Sequence, residues 1–180
     1  MQAFTYSNPA SVADASAAAA QGAKLIAGGQ SLLPAMRLGL AAHEALADLA
    51  GVAELRGISV TAGVVKIGAM ATHASVAASK EVATAIPALA ALAGNIGDRQ
   101  VRNRGTLGGS LANNDPAACY TAAVLGLGAT IHTNQRDIAA DFFKGLFTTA
   151  LKDEEVITAV SFPVPERAGW QKFKIGRAHV

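Results

Sequence analysis

Two glycine pairs place the strongest constraint on this chain. The first lies in AGGQSL, residues 27–32, and the second in GTLGGSLANNDP, residues 105–116. Glycine has no Cβ, so each pair marks a place where the chain turns sharply or another group comes against the backbone. At the first, an apolar strand over residues 23–27 runs into Gly28 and Gly29. Ser31 then brings a hydroxyl to the start of a short helix over residues 31–38. Free amides and the positive end of a helix dipole suit a phosphate there. A tight strand-to-helix turn without a ligand accounts for this pair equally well.

The second segment, residues 96–120, opens its backbone at Gly105, Gly108 and Gly109. Thr106 and Ser110 offer hydroxyls, and Asn113, Asn114 and Asp115 offer acceptors. The last three also suit the cap of a helix starting at Pro116. Arg99, Arg102 and Arg104 against Asp98 make the entrance basic, with at least two of the arginines read as solvated surface. Residues 94–115 read as a long irregular loop, too rich in Gly, Asn and Arg for a core element. Such loops inside compact domains are more often functional than not. Together the two segments suggest one elongated diphosphate held between two lobes.

Several other chemistries lack their pattern. Gly126-Leu127-Gly128 follows a helix and has no third glycine, so no dinucleotide fingerprint is present, and no phosphate-binding G-x-x-x-x-G-K-[ST] loop either. No G-x-S-x-G supports a hydrolase nucleophile. The single cysteine, Cys119, excludes a disulfide framework and a four-thiolate cluster held by this chain alone. His43, His73, His132 and His179 lack metal-ligand spacing. A net charge of +2 is too small for nucleic acid to be the main partner. With 51% hydrophobic and 16% charged residues the chain is globular. It shows no signal-peptide pattern and no apolar run of membrane-spanning length, so a cytoplasmic protein without a membrane span is expected.

The coarse pattern is α+β. A strand at 4–6, a helix opened by Asn8-Pro9 and ending at Gln21, and the strand at 23–27 predict a small parallel βαβ unit. A third strand is expected at 44–49. Residues 58–61 and 64–68 around Ala62-Gly63 predict a β-hairpin. Thr72 caps a helix. One helix is expected over 82–93 with Pro87 in or before its first turn, and another over 116–127. Strands are expected at 129–133, 136–139, 155–162 and 172–174. Residues 1–54 therefore read as a small lobe and 55–174 as a larger one. The final six residues, IGRAHV at 175–180, match a translated sequencing adapter and read as a non-native tail.

AGGQSLLPAMRL and IGDRQVRNRGTLGGSLANNDPAA resemble the paired flavin-binding motifs of the FAD-binding medium subunit of molybdenum hydroxylases, the carbon monoxide dehydrogenase and xanthine dehydrogenase family. GAMATHASVA and EEVITAVSFPVP extend the resemblance over nearly all of residues 1–174. It implies a two-lobed α/β FAD-binding domain of the vanillyl-alcohol oxidase-like (PCMH) type. It implies that Ala27, Gly28, Gly29, Gln30, Ser31 and Leu32 line the FAD pyrophosphate. It places Thr106, Leu107, Gly108, Gly109 and Ser110 against the pyrophosphate and the flavin side. Asp115, Ile96, Ile157 and Lys174 would lie near the cofactor. Where relatives carry an acid, this chain has Cys119, a poorer acceptor that is expected to be a small buried residue on the 116–127 helix.

The same resemblance implies partners. A large subunit would hold the molybdenum cofactor, and a small subunit would carry [2Fe–2S] clusters. This chain would pass electrons to an acceptor such as a quinone, oxygen or a nicotinamide. Relatives continue into a further C-terminal domain, expected to be missing here. Two other readings compete: a non-redox diphosphate-binding or nucleotide-binding module, and a truncated fragment that no longer binds FAD.

Overall fold

In the computed structural model, which describes residues 3–173, the first helix begins later than the sequence suggests. Ser11 caps it by accepting from the Asp14 amide at 3.1 Å, so Asn8 and Pro9 stay outside. This helix, α1 (Val12–Ala20), closes at Gln21, and Gly22 at φ 90° turns the chain into the next strand. The first sheet contains β1 (Thr5–Ser7), β2 (Lys24–Ile26) and β3 (Ala45–Asp48), all parallel, in the order β1-β3-β2. The expected strands are all present, but β3 inserts between the two ends of the βαβ unit. α2 (Leu32–Arg37) follows the first glycine pair.

The second sheet is antiparallel and has five strands in the order β4-β5-β10-β6-β7. They are β4 (Ile58–Thr61), β5 (Val64–Gly68), β6 (Thr130–Thr133), β7 (Asp137–Ile138) and β10 (Ile157–Pro163). β4 and β5 form the expected hairpin, with Ala62 at φ 49° and Gly63 at φ 75°. A further small hairpin of β8 (Phe143–Gly145) and β9 (Thr148–Thr149) has no counterpart in the sequence reading.

Three helical expectations need correction. The helix at 82–93 is two: α4 (Lys80–Ala85), capped by Ser79, and α5 (Pro87–Gly94). Pro87 has no N–H to continue a helix from Ile86 and instead occupies the first turn of α5. The loop at 94–115 contains α6 (Arg99–Arg104) and α7 (Leu107–Asn113), capped by Asp98 and Thr106. Burial of Leu107, Gly108 and Leu111 outweighs the poor helix propensity of the segment. α8 (Cys119–Gly126) starts three residues after Pro116, because Asp115 accepts from the Ala117 amide and holds a turn there. α3 (His73–Ala78) has the predicted Thr72 cap. Lys172 and Phe173 are not in a strand, and Lys174 and the 175–180 tail lie outside the described residues.

The main core lies between the five-stranded sheet and the helices. Val65, Ile67, Ile131, Val160 and Phe162 from the strands meet Val76, Leu89, Leu92, Leu107, Leu111 and Tyr120 from the helices. A second cluster joins the two sheets' layers, with Val12, Ala15, Leu49, Val52, Leu55, Met70 and Val156 all buried. Across β6, β7 and β10, His132 Nδ1 sits 2.7 Å from Asp137 Oδ1 and Nε2 sits 2.7 Å from Ser161 Oγ. This row has the order of a hydrolase triad. However, β10 is flanked by strands on both sides, which commits its amides to the ladders rather than to an oxyanion. The row therefore reads as a cross-strand tie.

Glu155 anchors the start of β10. Its carboxylate accepts from Arg136 Nε at 2.9 Å, Thr133 Oγ1 at 2.7 Å and the Lys152 amide at 3.0 Å. Burial alone would raise this carboxyl; the guanidinium, amide and hydroxyl override it and hold it at about 2. Its folded value is therefore below the ordinary carboxylate range. The stability it contributes is present above about pH 5 and lost as pH falls toward 2. Glu155→Gln is expected to cost roughly 1–3 kcal/mol at neutral pH. It should also flatten the loss of stability below pH 5, read from chemical denaturation across a pH series.

Candidate functional site

β2 ends at Ile26, and the chain then exposes its backbone. Among the described residues, none of the amides from Gly28 to Leu32 donates a hydrogen bond. Gly29 sits at φ 71°, which glycine adopts without strain, and Gln30 folds back to donate from Nε2 to the Gly28 carbonyl at 3.3 Å. Ser31 precedes α2 but makes no capping bond, so its hydroxyl is also uncommitted. The segment thus offers a run of donors with no internal acceptor.

Gly28 is where the two glycine segments meet. A Cβ there would overlap the Arg104 carbonyl oxygen and lie 2.7 Å from its carbon and 2.8 Å from Gly105 Cα. Backbone therefore packs directly on backbone. The second segment is held on its other side by the strip 69–73. His73 donates its amide to the Gly105 carbonyl at 2.9 Å, Leu107 to the Ala71 carbonyl at 3.0 Å, and Gly108 to the Ala69 carbonyl at 2.8 Å. Gly108 has no room for a side chain, since a Cβ would lie 2.7 Å from Ala69 Cβ. The strip in turn hangs on β10 through the Ala69 amide and the Thr158 carbonyl, at a bulge between Ile157 and Ala159.

The two segments are not equivalent, which corrects the expectation that each presents free amides. In the second, Leu107 and Gly108 donate to the strip, Gly109 to Thr106 Oγ1 and Ser110 to the Thr106 carbonyl. What remains there are the hydroxyls of Thr106 and Ser110 and the bare surface of Gly109. The first segment supplies amides; the second supplies hydroxyls and close approach.

Both line one cleft of about 840 Å³. Of the residues singled out in sequence, Ala27, Gly28, Gly29, Gln30, Ser31, Leu32, Ile96, Thr106, Gly108, Gly109, Ser110, Asp115 and Ile157 face it. Leu107 does not: its side chain is wholly buried in the main core. Lys174 lies outside the described residues. The arginines do not line the cleft either. Arg99 and Arg104 are exposed, and Arg102 donates to the carbonyls of Ile96 and Gly97, both at 3.1 Å. The lining cations are instead Lys24, Lys152 and Lys172. Cys119 is only half-buried and faces the cleft, with Lys172 Nζ 3.2 Å from its sulfur. Asn114 serves neither ligand nor following helix. It is the left-handed end of α7, at φ 44°, and ties the β8–β9 hairpin.

His73 was missed as a lining residue, because GAMATHASVA signals only a capped helix. The imidazole is buried against Gly105, whose added Cβ would meet Nε2 at 2.6 Å. Its Nδ1 has no partner among the described residues, nor does the nearby Tyr120 hydroxyl. Burial pushes His73 down to about 4 and raises the Tyr120 phenol. Among the described residues no group of acids, His and Cys could hold a metal, and no helix is long and apolar enough to cross a membrane.

Comparison with known proteins adds a second line of support. A family described as the FAD binding domain in molybdopterin dehydrogenase matches residues 2–165. The nicotine 6-hydroxylase medium subunit of Paenarthrobacter nicotinovorans is 38% identical over 96% of this chain and 64% of its own length. The carbon monoxide dehydrogenase medium chain of Hydrogenophaga pseudoflava is 38% identical over 97% of this chain and 64% of its own length. A solved structure of that organism's carbon monoxide dehydrogenase, lacking the Mo-pyranopterin moiety of the molybdenum cofactor, is 38% identical and superimposes with a TM-score of 0.93. That match covers 98% of this chain and 65% of the other. The chain thus spans less than two thirds of the length of these relatives.

Two outcomes test this geometry. Gly28→Ala should destabilise the chain by about 1–3 kcal/mol through backbone overlap. Gly126→Ala, which meets nothing within 4 Å, should be neutral or slightly stabilising in the same denaturation experiment. Separately, the folded His73 stays neutral where an unfolded one takes a proton. Its contribution should be intact above its ordinary value of 6.5 and lost as pH falls from there to about 4. NMR titration of the ring should find it uncharged at pH 5.5.

Proposed function

The chain belongs to the family of FAD-binding domains in molybdopterin dehydrogenases, and on that premise we propose that it is the FAD-binding part of an electron-transferring medium subunit. The observation that carries the reading is the junction of Gly28 with Arg104 and Gly105, with uncommitted amides on one side of the cleft and hydroxyls on the other. The residues fit the cofactor: a pyrophosphate needs donors and close approach, and a run of bare backbone gives both. When bound, FAD would supply the redox chemistry, with a [2Fe–2S] small subunit as the electron source and a quinone, oxygen or a nicotinamide as the acceptor.

The work of this chain's own residues is binding and positioning. Amides of Gly28 to Leu32 hold pyrophosphate oxygens, and the Thr106 and Ser110 hydroxyls donate from the facing side. Gly109 keeps a side chain out of the space toward Ala27, and Gly108 lets α7 seat directly on Ala69. Ile96 and Ile157 give apolar walls that exclude water from the ring. Asp115 lies at the cleft edge, and Lys174 is assigned near the cofactor by resemblance. No residue of this chain is assigned a proton-transfer role. Residues 1–54 act as the small lobe and 55–174 as the larger one. A large subunit with the molybdenum cofactor oxidises the substrate, and a C-terminal domain of the medium subunit covers the flavin.

The test is a visible absorption spectrum of the purified chain after addition of FAD and desalting. Retained flavin bands support the reading. Loss of all flavin, from this chain and from one extended to the length of its relatives, overturns it in favour of a non-redox phosphate site.

A further inference from the structure

We propose that Phe147, at the tip of the β8–β9 hairpin, forms a wall of the cofactor site and lies against a planar ring of the bound dinucleotide. The inference rests on the FAD reading above. Phe147 lines the same cleft as both glycine segments and leaves 62% of its surface exposed. It is the only Phe, Tyr or Trp among the described residues that line that cleft. Its φ is 53°, a conformation that favours glycine and that a bulky side chain adopts only when its surroundings impose it.

The surroundings do impose it. Asn114, only 6% exposed, donates from Nδ2 to the Gly145 carbonyl at 2.7 Å and the Thr148 carbonyl at 2.8 Å. Its own carbonyl accepts from the Phe147 amide at 3.2 Å. These bonds grip both flanks of the tip and the residue between. The clamp sits at the C-terminal end of α7, whose N-terminal end carries Gly108 and Gly109. One short helix thus fixes the second glycine segment and the hairpin tip in a single frame. A tip that only joined two strands would have no need of a strained, solvent-facing phenyl ring or a buried clamp. A ring that meets another ring on binding does need both, because stacking demands a fixed edge or face. FAD offers two planar rings, the isoalloxazine and the adenine. The same chemistry recognises either.

The test compares the wild-type chain with Phe147→Gly, Phe147→Tyr and Asn114→Gly, titrated with FAD, FMN and ADP by calorimetry, with flavin fluorescence followed in parallel. Phe147→Gly should bind FAD about five- to tenfold more weakly. It should melt at the same temperature or higher, because glycine relieves the strained backbone. Phe147→Tyr should stay within about twofold of wild type. Asn114→Gly keeps a left-handed backbone, frees the tip and should fall between. A loss confined to FAD and FMN assigns the isoalloxazine; a loss confined to FAD and ADP assigns the adenine. If the wild type binds FAD and Phe147→Gly binds all three ligands equally well, the inference fails alone. It also fails if weaker binding merely follows a lower melting temperature in every variant. If the wild type binds no FAD at all, the reading beneath it fails as well.

Discussion

The site depends on a backbone-to-backbone contact, Gly28 against Arg104 and Gly105. No residue with a Cβ fits there, so the two halves of the chain meet at a separation that only glycine allows. That closeness has a chemical consequence. The amides after Gly28 sit at the edge of the junction with nothing internal to accept them. Backbone donors left without partners are costly when buried. They are tolerable here because they face a cleft, where water or a ligand can satisfy them. The contact therefore both joins the two segments and leaves a run of donors pointing at open space.

The rest of the fold holds that junction still. The first glycine segment leaves β2, an edge strand paired with the central β3, and the second hangs on β10, the centre of the other sheet. The strip 69–73 passes the rigidity of β10 to the second segment through three amide bonds. The shared cluster of Val12, Leu49, Met70 and Val156 ties the two layers together. α7 then carries the frame across the cleft to Asn114 and the hairpin. His73 Nδ1 and the Tyr120 hydroxyl, without partners among the described residues, lie just behind this frame as polar weak points of the core.

Local chemistry was legible in the sequence. Ala62-Gly63 between two β-rich runs predicts a hairpin, and Thr72 predicts a cap, because both effects act within a few residues. The paired glycine motifs pointed to the right family, and most of the residues they singled out line the cleft. Distance was not legible. Nothing in AGGQSL says that Gly28 will rest on the Arg104 carbonyl, and nothing near Asn114 says that it will grip a hairpin some thirty residues on. The Gly-, Asn- and Arg-rich stretch 94–115 looked like a loop, yet the caps at Asp98 and Thr106 and the burial of Leu107 and Leu111 made it helical. The arginines make the entrance basic but read mostly as solvated surface, and Arg99 and Arg104 are exposed while Arg102 donates to the carbonyls of Ile96 and Gly97. Cys119 stands on α8 and packs against the main core as expected, but it is only half-buried and also lines the cleft.

The central claim is that the amides of Gly28 to Leu32 are the donors for a bound diphosphate. Residue-resolved amide hydrogen exchange, with and without saturating FAD, addresses it most directly. The account predicts rapid exchange of these five amides in the free chain and strong slowing when FAD is present. Leu107 and Gly108, already bonded to the strip 69–73, should change far less. Slowing confined to other parts of the cleft, with the amides of Gly28 to Leu32 still exchanging freely, would contradict the account.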